Sequence, residues 1–173
     1  MQIVECNCEE HAGAILEILN DAILNSTAVY DYEPRTKESI VEWFSAKRNG
    51  SFPVLGAIDD DGALLGFASY GTFRSRAAYK YSVEHSVYVA RERRGIGVGS
   101  ALMQRLIAAA MAQELHVLVG GIDAANRASI VFHEKLGFVH AGTIAHAGFK
   151  FGRWLDLAFY QLLLTTPAHP VDG

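Results

Sequence analysis

The chain has 173 residues, and its 15 lysines and arginines against 19 aspartates and glutamates give a formal net charge of −4 at pH 7. Half of the residues are hydrophobic, as in soluble globular domains, and the acidic balance argues against nucleic acids and anionic membranes as partners. The longest apolar run, residues 106–112, is far shorter than the roughly 20 residues that span a bilayer.

Apolar spacing predicts the secondary structure along the chain. In chain order we expect a strand at 2–6, helices at 9–25 and from 36, strands at 53–58, 64–70 and 81–89, a helix at 98–113, a strand at 116–120, a helix at 126–136, and strands at 138–144 and 154–164. This order predicts an α/β (α+β) fold, with one mixed sheet of six or seven strands and about four helices. We expect a single domain over residues 1–164 and a polar tail at 165–173.

The cysteines, the histidines and the start of the chain mainly exclude functions. Cys6 and Cys8 fit neither a disulfide framework nor a C-x-x-C redox pair. The seven histidines lack the spacing of a local metal motif, so no metal is expected. The acidic N-terminal segment does not resemble a secretory signal, and a cytoplasmic location is expected.

A glycine-rich stretch, residues 94–99 with the sequence RGIGVG, joins a predicted strand to a predicted helix. Glycine permits tight turns and close approach of a ligand, and the helix start adds unpaired N–H groups and a positive dipole end. The stretch therefore predicts a phosphate-binding loop. It lacks the Gly-Lys-Ser/Thr end of a nucleoside triphosphate loop and the G-x-G-x-x-G spacing of a dinucleotide fold. The alternative is a glycine-rich helix start without a ligand.

The stretch resembles the Arg/Gln-x-x-Gly-x-Gly/Ala signature of the GCN5-related N-acetyltransferases, in which it binds the pyrophosphate of acetyl-CoA. Residues 126–138 resemble the late helix of the same superfamily, which ends in Leu-Gly-Phe. The superfamily usually has a tyrosine seven residues after the first Asn, where it can protonate the departing thiolate. This chain has Asn126 and, at the tyrosine position, His133. His133 is therefore a candidate general acid, and the alternative is a packed helix residue.

Three further segments resemble a narrower family, the phosphinothricin and methionine sulfoximine acetyltransferases. They are GTFRSR at 71–76, SVEHSVYV at 82–89 and KFGRWLD at 150–156, and the resemblance covers residues 3–164. It implies the GNAT fold, a homodimer, and direct transfer of acetyl from acetyl-CoA to the α-amino group of a small amino-acid analogue. Phosphinothricin, methionine sulfoximine and methionine sulfone are the implied substrates.

The resemblance also implies which residues bind acetyl-CoA. The strand before the glycine loop is expected to pair with the pantetheine amides through its backbone, much as an added strand pairs with a sheet edge. The candidates are Val87, Tyr88, Val89, Arg94, Gly95, Ile96, Gly97, Val98, Gly99, Ser100, Asn126 and Lys135. For Lys135 the alternative is a solvated helix terminus.

Acetylation of an amine needs a base, because the protonated amine must lose a proton before it attacks a thioester. Glu84 lies in an apolar strand, where burial would raise the pKa of its carboxyl group, and we expect it to be the base, directly or through water. The alternative is an ion pair with Arg74 or Lys80. His85 follows Glu84 and points to the other face unless the strand bulges, so it is either a site residue or a core histidine.

By resemblance, the substrate site is lined by Arg74, Ser75, Glu84, His85 and Ser86, and Arg76, at a position where relatives vary, is a further candidate. A guanidinium group binds carboxylates and phosphinates through two parallel hydrogen bonds, which favours Arg74 as an anion anchor. Arg76 is either a second anchor or an ordinary surface arginine.

Two other functions stay open at this stage. One is an acetyltransferase for another amine, such as a polyamine, an aminoglycoside or a protein N-terminus, although a loop with two arginines disfavours polycations. The other is a non-catalytic acyl-CoA-binding module.

Overall fold

The computed structural model describes residues 1–172. Its strands are β1 (Gln2–Glu5), β2 (Val54–Ile58), β3 (Leu64–Thr72), β4 (Ser82–Val89), β5 (Val117–Asp123), β6 (Val139–Lys150) and β7 (Arg153–Leu163). Its α-helices are α1 (Cys8–Asn25), α2 (Lys37–Asn49), α3 (Val98–Ala112) and α4 (Arg127–Lys135). No helix within this range is long and apolar enough to cross a membrane.

The seven strands form one sheet in the order β1-β2-β3-β4-β5-β7-β6. Strands β4 and β5 are parallel, whereas the pairs β1–β2, β2–β3, β5–β7 and β6–β7 are antiparallel. The predicted mixed sheet with four helices is therefore confirmed.

The chain groups into two compact units. The first unit comprises residues 1–71 and 86–106, and the second comprises residues 72–85 and those from 107 onward. The boundary falls within β4, between His85 and Ser86. The single domain over residues 1–164, with a tail at 165–173, stays a prediction.

In the first unit, α1 and α2 bury their apolar sides in one core. Ile15, Ile23, Ile40 and Phe44 from the helices meet Phe67 of β3 there. The Thr36 side chain accepts a hydrogen bond from the Ser39 amide at 3.2 Å, and this cap fixes the start of α2 as predicted.

In the second unit, two strands are longer than predicted. β6 continues to Lys150, past a shift of its register with β7 between Ile144 and Gly148. This irregularity breaks the alternation that a strand prediction needs, which explains why the second part of the strand was not predicted. β5 continues to Asp123 through Gly120 and Gly121. Because glycine is depleted in strands, the sequence predicts that the strand ends earlier. Gly137, with φ +91°, follows the end of α4, as predicted.

Candidate active site

The glycine loop lies in the first unit, between β4 and α3. Gly95 and Gly97 have φ of +79° and +92°, a backbone region that side chains disfavour, and a Cβ on either would meet no atom within 4 Å. The Ala101 amide donates to the Gly97 carbonyl at 3.0 Å, which opens α3 and leaves the preceding amides without helical partners. The loop therefore has an open backbone beside a positive helix end, which suits an anion.

The arginines around this loop are not equivalent. Arg91 and Arg93 face the carboxylates of Asp21 and Asp59 at 3.8 and 4.0 Å, which offset part of their charge. The Arg94 Nε donates to the Val89 carbonyl at 3.1 Å and so uses one of the five N–H donors of that side chain. Arg94 retains the donors that a phosphate would need.

In the second unit, β4 and β5 form parallel pairs from Ser82–Val117 to Glu84–Val119. Glu84 is exposed, whereas the next residue, His85, is only 7% exposed. The two side chains therefore lie on opposite faces of the strand, as strand geometry predicts.

The Glu84 carboxyl group has a raised pKa, which suits a general base. Partial burial raises its pKa above the usual 4.5, and the positive charge of Arg74 acts in the opposite direction. The direction of the pKa shift agrees with the sequence prediction, although the side chain stays open to solvent instead of being enclosed. A carboxylate with a raised pKa accepts a proton from an amine more readily.

Arg74 lies on the exposed loop after β3, together with Ser75 and Arg76. The centre of its guanidinium group lies over the Phe73 ring, 5.2 Å from the ring centroid, and Phe73 meets Tyr79 edge-on at 5.9 Å between ring centroids. A cation–π contact holds a guanidinium group without a carbonyl or carboxylate acceptor, so its N–H donors can bind an anion. The loop can therefore present a preoriented cation.

His85 and His133 form a buried pair. Their rings are stacked, with centroids 5.1 Å apart and 23° between planes, and the Phe138 ring meets both edge-on. Within residues 1–172, neither ring nitrogen of His85 has a hydrogen-bond partner. Burial lowers the pKa of His85 to about 3, so this ring is neutral at physiological pH.

The hydrogen bond of His133 defines its tautomer. Its Nδ1 lies 2.7 Å from the Ser129 carbonyl oxygen, which can only accept, so Nδ1 carries the hydrogen. Burial lowers the pKa of His133, which favours the neutral ring and leaves Nε2 without a proton. Nε2 is also buried without a partner in the described part of the chain. This geometry does not favour a general acid, and that role of His133 stays a prediction.

The start of α4 is held by polar side chains. Asn126 accepts a hydrogen bond from the Ser129 amide at 3.1 Å, so its side chain caps the helix. The buried Asp123 carboxylate accepts from the Ala125 amide at 3.0 Å and from Arg153 at 2.9 Å. Arg153, the arginine of the KFGRW segment, therefore makes a structural contact with β5.

The candidate residues fall in both units. The second unit contains Arg74, Ser75, Arg76, Glu84, His85, Asn126, His133 and the exposed Lys135. The first unit contains Ser86, Val87, Tyr88, Val89, Arg94, Gly95, Ile96, Gly97, Val98, Gly99 and Ser100. Across residues 1–172, no three His, Cys, Asp or Glu side chains form a group that could hold a metal ion.

Sequence reasoning missed Gly120 and Gly121 of β5. A Cβ on Gly120 would lie 2.8 Å from the His85 Nε2, and one on Gly121 would lie 3.2 Å from the Glu84 Oε1. Two adjacent glycines in an otherwise apolar strand were the available signal, because glycine within a strand often marks a close approach.

Comparison with known proteins defines the class. Residues 15–138 match the model of the acetyltransferase (GNAT) family, and the chain belongs to this family and is an acetyltransferase. The family inferred from the glycine loop and the late helix is confirmed. A protein of Pseudomonas paraeruginosa named L-methionine sulfoximine/L-methionine sulfone acetyltransferase is 47% identical over 150 residues, which cover 87% of each chain.

Two solved structures are also similar to the whole chain. A protein from Acinetobacter baylyi superposes with a TM-score of 0.98 at 60% identity, covering 99% of this chain and 97% of that one. A phosphinothricin acetyltransferase from Sinorhizobium meliloti, in complex with acetyl-CoA, has a TM-score of 0.93 at 34% identity and covers 98% and 91%. The narrower resemblance is therefore confirmed as well.

Proposed function

We propose that this enzyme transfers an acetyl group from acetyl-CoA to the α-amino group of a small amino-acid analogue of the methionine sulfone, methionine sulfoximine or phosphinothricin type. The proposal rests on one observation above all: the second unit presents an exposed carboxylate, Glu84, within electrostatic reach of an exposed guanidinium, Arg74. An amino acid carries an ammonium group and an anionic group, and this pair matches both. The activities named for the relatives support the same substrates.

The glycine loop fits the pyrophosphate of acetyl-CoA. Gly95 and Gly97 leave the backbone open, and α3 presents its first amides beside them. We assign Arg94, Ile96, Val98, Gly99 and Ser100 to the same loop site, and Val87–Val89 to the pantetheine through backbone groups. Asn126 and Lys135 are assigned as further contacts. Acetyl-CoA supplies the thioester that is attacked.

Glu84 accepts a proton from the substrate ammonium group, directly or through a water molecule. The neutral amine nitrogen then bonds to the acyl carbon while the bond from that carbon to sulfur breaks. The nitrogen loses its second proton to the departing thiolate, directly or through water, so that the amide is neutral and CoA leaves as the free thiol. The proton passes from Glu84 to solvent. Arg74, with Ser75, Arg76 and Ser86, holds the anionic group of the substrate. His85 is buried on the opposite face of β4 and is assigned no contact with the substrate.

Direct attack is favoured over an acyl-enzyme intermediate by the state of the cysteines. Burial raises the pKa of the Cys6 thiol to about 12, so this side chain is protonated and a poor nucleophile. Cys8 lies at the first position of α1, near the start of the chain and far in sequence from the motifs that carry the proposed site. Neither thiol is therefore assigned a catalytic role.

A substrate screen tests this function. The purified protein would be incubated with acetyl-CoA and methionine sulfoximine, methionine sulfone or phosphinothricin, and release of free thiol would be measured. Spermidine, an aminoglycoside and a peptide with a free N-terminus serve as comparison amines. We expect acetylation of the amino-acid analogues at least tenfold faster than of the others. A preference for a comparison amine, or acetyl-CoA binding without acetylation, would contradict the proposal.

We further propose that two copies associate through the edge of the sheet. β6 is the last strand of the sheet, and Phe149, Phe151 and Trp154 of the β6–β7 hairpin are 46–58% exposed. Exposed aromatic clusters of this kind mark interaction surfaces. Sedimentation analysis should give twice the mass of one chain, and Trp154→Glu should shift the protein toward one copy. A monomer at all concentrations would contradict this assembly.

We place the enzyme in the cytoplasm, where its two free cysteines would stay reduced. Cell fractionation with a tagged chain tests this location, and recovery in a membrane or secreted fraction would contradict it.

A further inference from the structure

Gly120 and Gly121 occupy regular positions in β5. They pair with Tyr160 and Phe159 of β7 in uninterrupted register, and neither has a positive φ. The backbone at these positions would accept any residue. Because glycine weakens a strand interior, its presence twice in succession needs another reason, and the close approach of neighbouring side chains supplies one.

Gly120 lies on the buried face, against the histidine pair. A Cβ there would lie 2.8 Å from the His85 Nε2, 3.3 Å from its Cε1 and 3.6 Å from the Cδ2 of His133. The His85 ring has little freedom to retreat, because it is stacked on His133 and met edge-on by Phe138. A side chain at position 120 would displace the ring pair.

Gly121 lies on the exposed face, against the carboxylate. A Cβ there would lie 3.2 Å from the Glu84 Oε1 and 3.2 Å from the Leu157 Cδ1. Such contacts are tighter than side chains normally make, so a neighbour must move. Leu157 lies in β7, which is paired on both sides, whereas the Glu84 side chain is open to solvent and can turn away.

We propose that Gly121 is a positioning residue for the acetyl transfer: its missing side chain lets the Glu84 carboxylate lie against β5, where it is partly shielded from water. Gly120 does the same for the His85 ring on the other face. This inference rests on the proposed function, because it assigns to Gly121 the placement of the proposed base.

The test compares Gly121→Ala with Gly13→Ala, a control at an exposed position of α1 where a Cβ meets no atom within 4 Å. We expect Gly121→Ala to lower kcat about tenfold and to leave the KM for acetyl-CoA within twofold. The acid limb of the kcat–pH profile should move to lower pH, because a carboxylate turned toward water is better solvated. Gly13→Ala should change none of these quantities.

A shorter acid provides the rescue. Glu84→Asp removes one methylene and frees the space that a Cβ on Gly121 would take. Adding Gly121→Ala to Glu84→Asp should therefore lower kcat less than twofold, against the tenfold loss in the wild-type background. Equal losses in both backgrounds, or an unchanged pH profile in Gly121→Ala, would overturn the proposal.

A substrate-free measurement separates this proposal from the proposed function. Carbon-13 NMR titration of the Glu84 carboxyl group gives its pKa without any turnover. We expect a lower pKa in Gly121→Ala than in wild type and no change in Gly13→Ala. An unchanged pKa would refute the positioning role even in an active enzyme, whereas a shifted pKa in a protein that acetylates none of the analogues would refute the function alone.

Discussion

The glycines of the 94–99 loop and those of β5 serve opposite physical needs. Gly95 and Gly97 have positive φ and open space around them, so glycine is required there by the backbone dihedral angles. Gly120 and Gly121 have ordinary strand dihedrals and crowded surroundings, so a side chain there would displace its neighbours without straining the backbone. In the loop, glycine leaves the backbone open for the proposed acetyl-CoA site, and in the strand it makes room for the proposed base, Glu84, and for the buried His85 ring.

The largest expected effect comes from Glu84→Gln, which removes the proposed base that lies against Gly121 of β5. Glu84→Gln keeps the size of the side chain but cannot take the proton, and we expect kcat to fall by about 10²–10⁴-fold. Thiol release with methionine sulfoximine at saturating acetyl-CoA measures it. Glu134→Gln, at an exposed position of α4, is the control and should keep full activity. Retention of wild-type kcat in Glu84→Gln would remove Glu84 as the base.

A substitution in the glycine loop should weaken acetyl-CoA binding and leave the chemical step nearly unchanged. Gly97→Ala forces a side chain onto a residue with φ of +92°, at a cost of roughly 1–2 kcal/mol, so the loop shifts. We expect the KM for acetyl-CoA to rise about tenfold, which corresponds to about 1.4 kcal/mol, with kcat nearly unchanged.

Gly62→Ala is the matched control for the loop. Gly62 has φ of +82° and an equally open surrounding, but it lies in the β2–β3 hairpin. The Gly62→Ala variant should lose about as much thermal stability as Gly97→Ala, and its KM for acetyl-CoA should stay unchanged. Equal increases in KM for both variants would mean that strain, not the loop site, explains the result.

Replacing Arg74 should raise the KM for the amino-acid substrate and leave the KM for acetyl-CoA unchanged. A charged hydrogen bond contributes about 1.5–3 kcal/mol, so Arg74→Ala should raise the KM for methionine sulfoximine by about tenfold or more. Arg74→Lys should restore only part of the loss, because an ammonium group cannot form two parallel bonds. Arg127→Ala, at the exposed start of α4, is the control. An unchanged KM in Arg74→Ala would exclude the anion anchor.

The smallest effect on catalysis is expected at His133. His133→Phe keeps the stacking on His85 and loses the Nδ1–Ser129 bond, so we expect a stability loss of about 1 kcal/mol and a change in kcat under about threefold. Thermal unfolding and thiol release measure the two quantities. A kcat loss near 10²-fold that His133→Tyr reverses would instead support the general-acid role.

The open glycine loop between β4 and α3 could be predicted from the sequence because it depends on residues that are neighbours in the chain. The strand, the alternating glycines and the helix follow each other within residues 82–112, so the chain order alone places N–H groups beside a helix start. Helix caps were predictable for the same reason, as with Thr36 at the start of α2.

The contacts of β5 could not be predicted in the same way. They depend on the register of β4 against β5, in which Glu84 is paired with Val119. Sequence periodicity indicates which face a residue lies on, but it does not decide which residues of two strands so far apart are paired. The stacking of His133 on His85 depends likewise on tertiary packing, whereas the tautomer of His133 is set locally, by the Ser129 carbonyl of the same helix.

The central claim, that Glu84 is the base and that Gly121 of β5 makes room for it, is tested most directly by the pH dependence of kcat. Because burial raises the pKa of Glu84 and the base works only when ionised, kcat should rise with pH through a pKa above 4.5. This acid limb should disappear in Glu84→Gln. An acid limb with the same pKa in Glu84→Gln would contradict the claim.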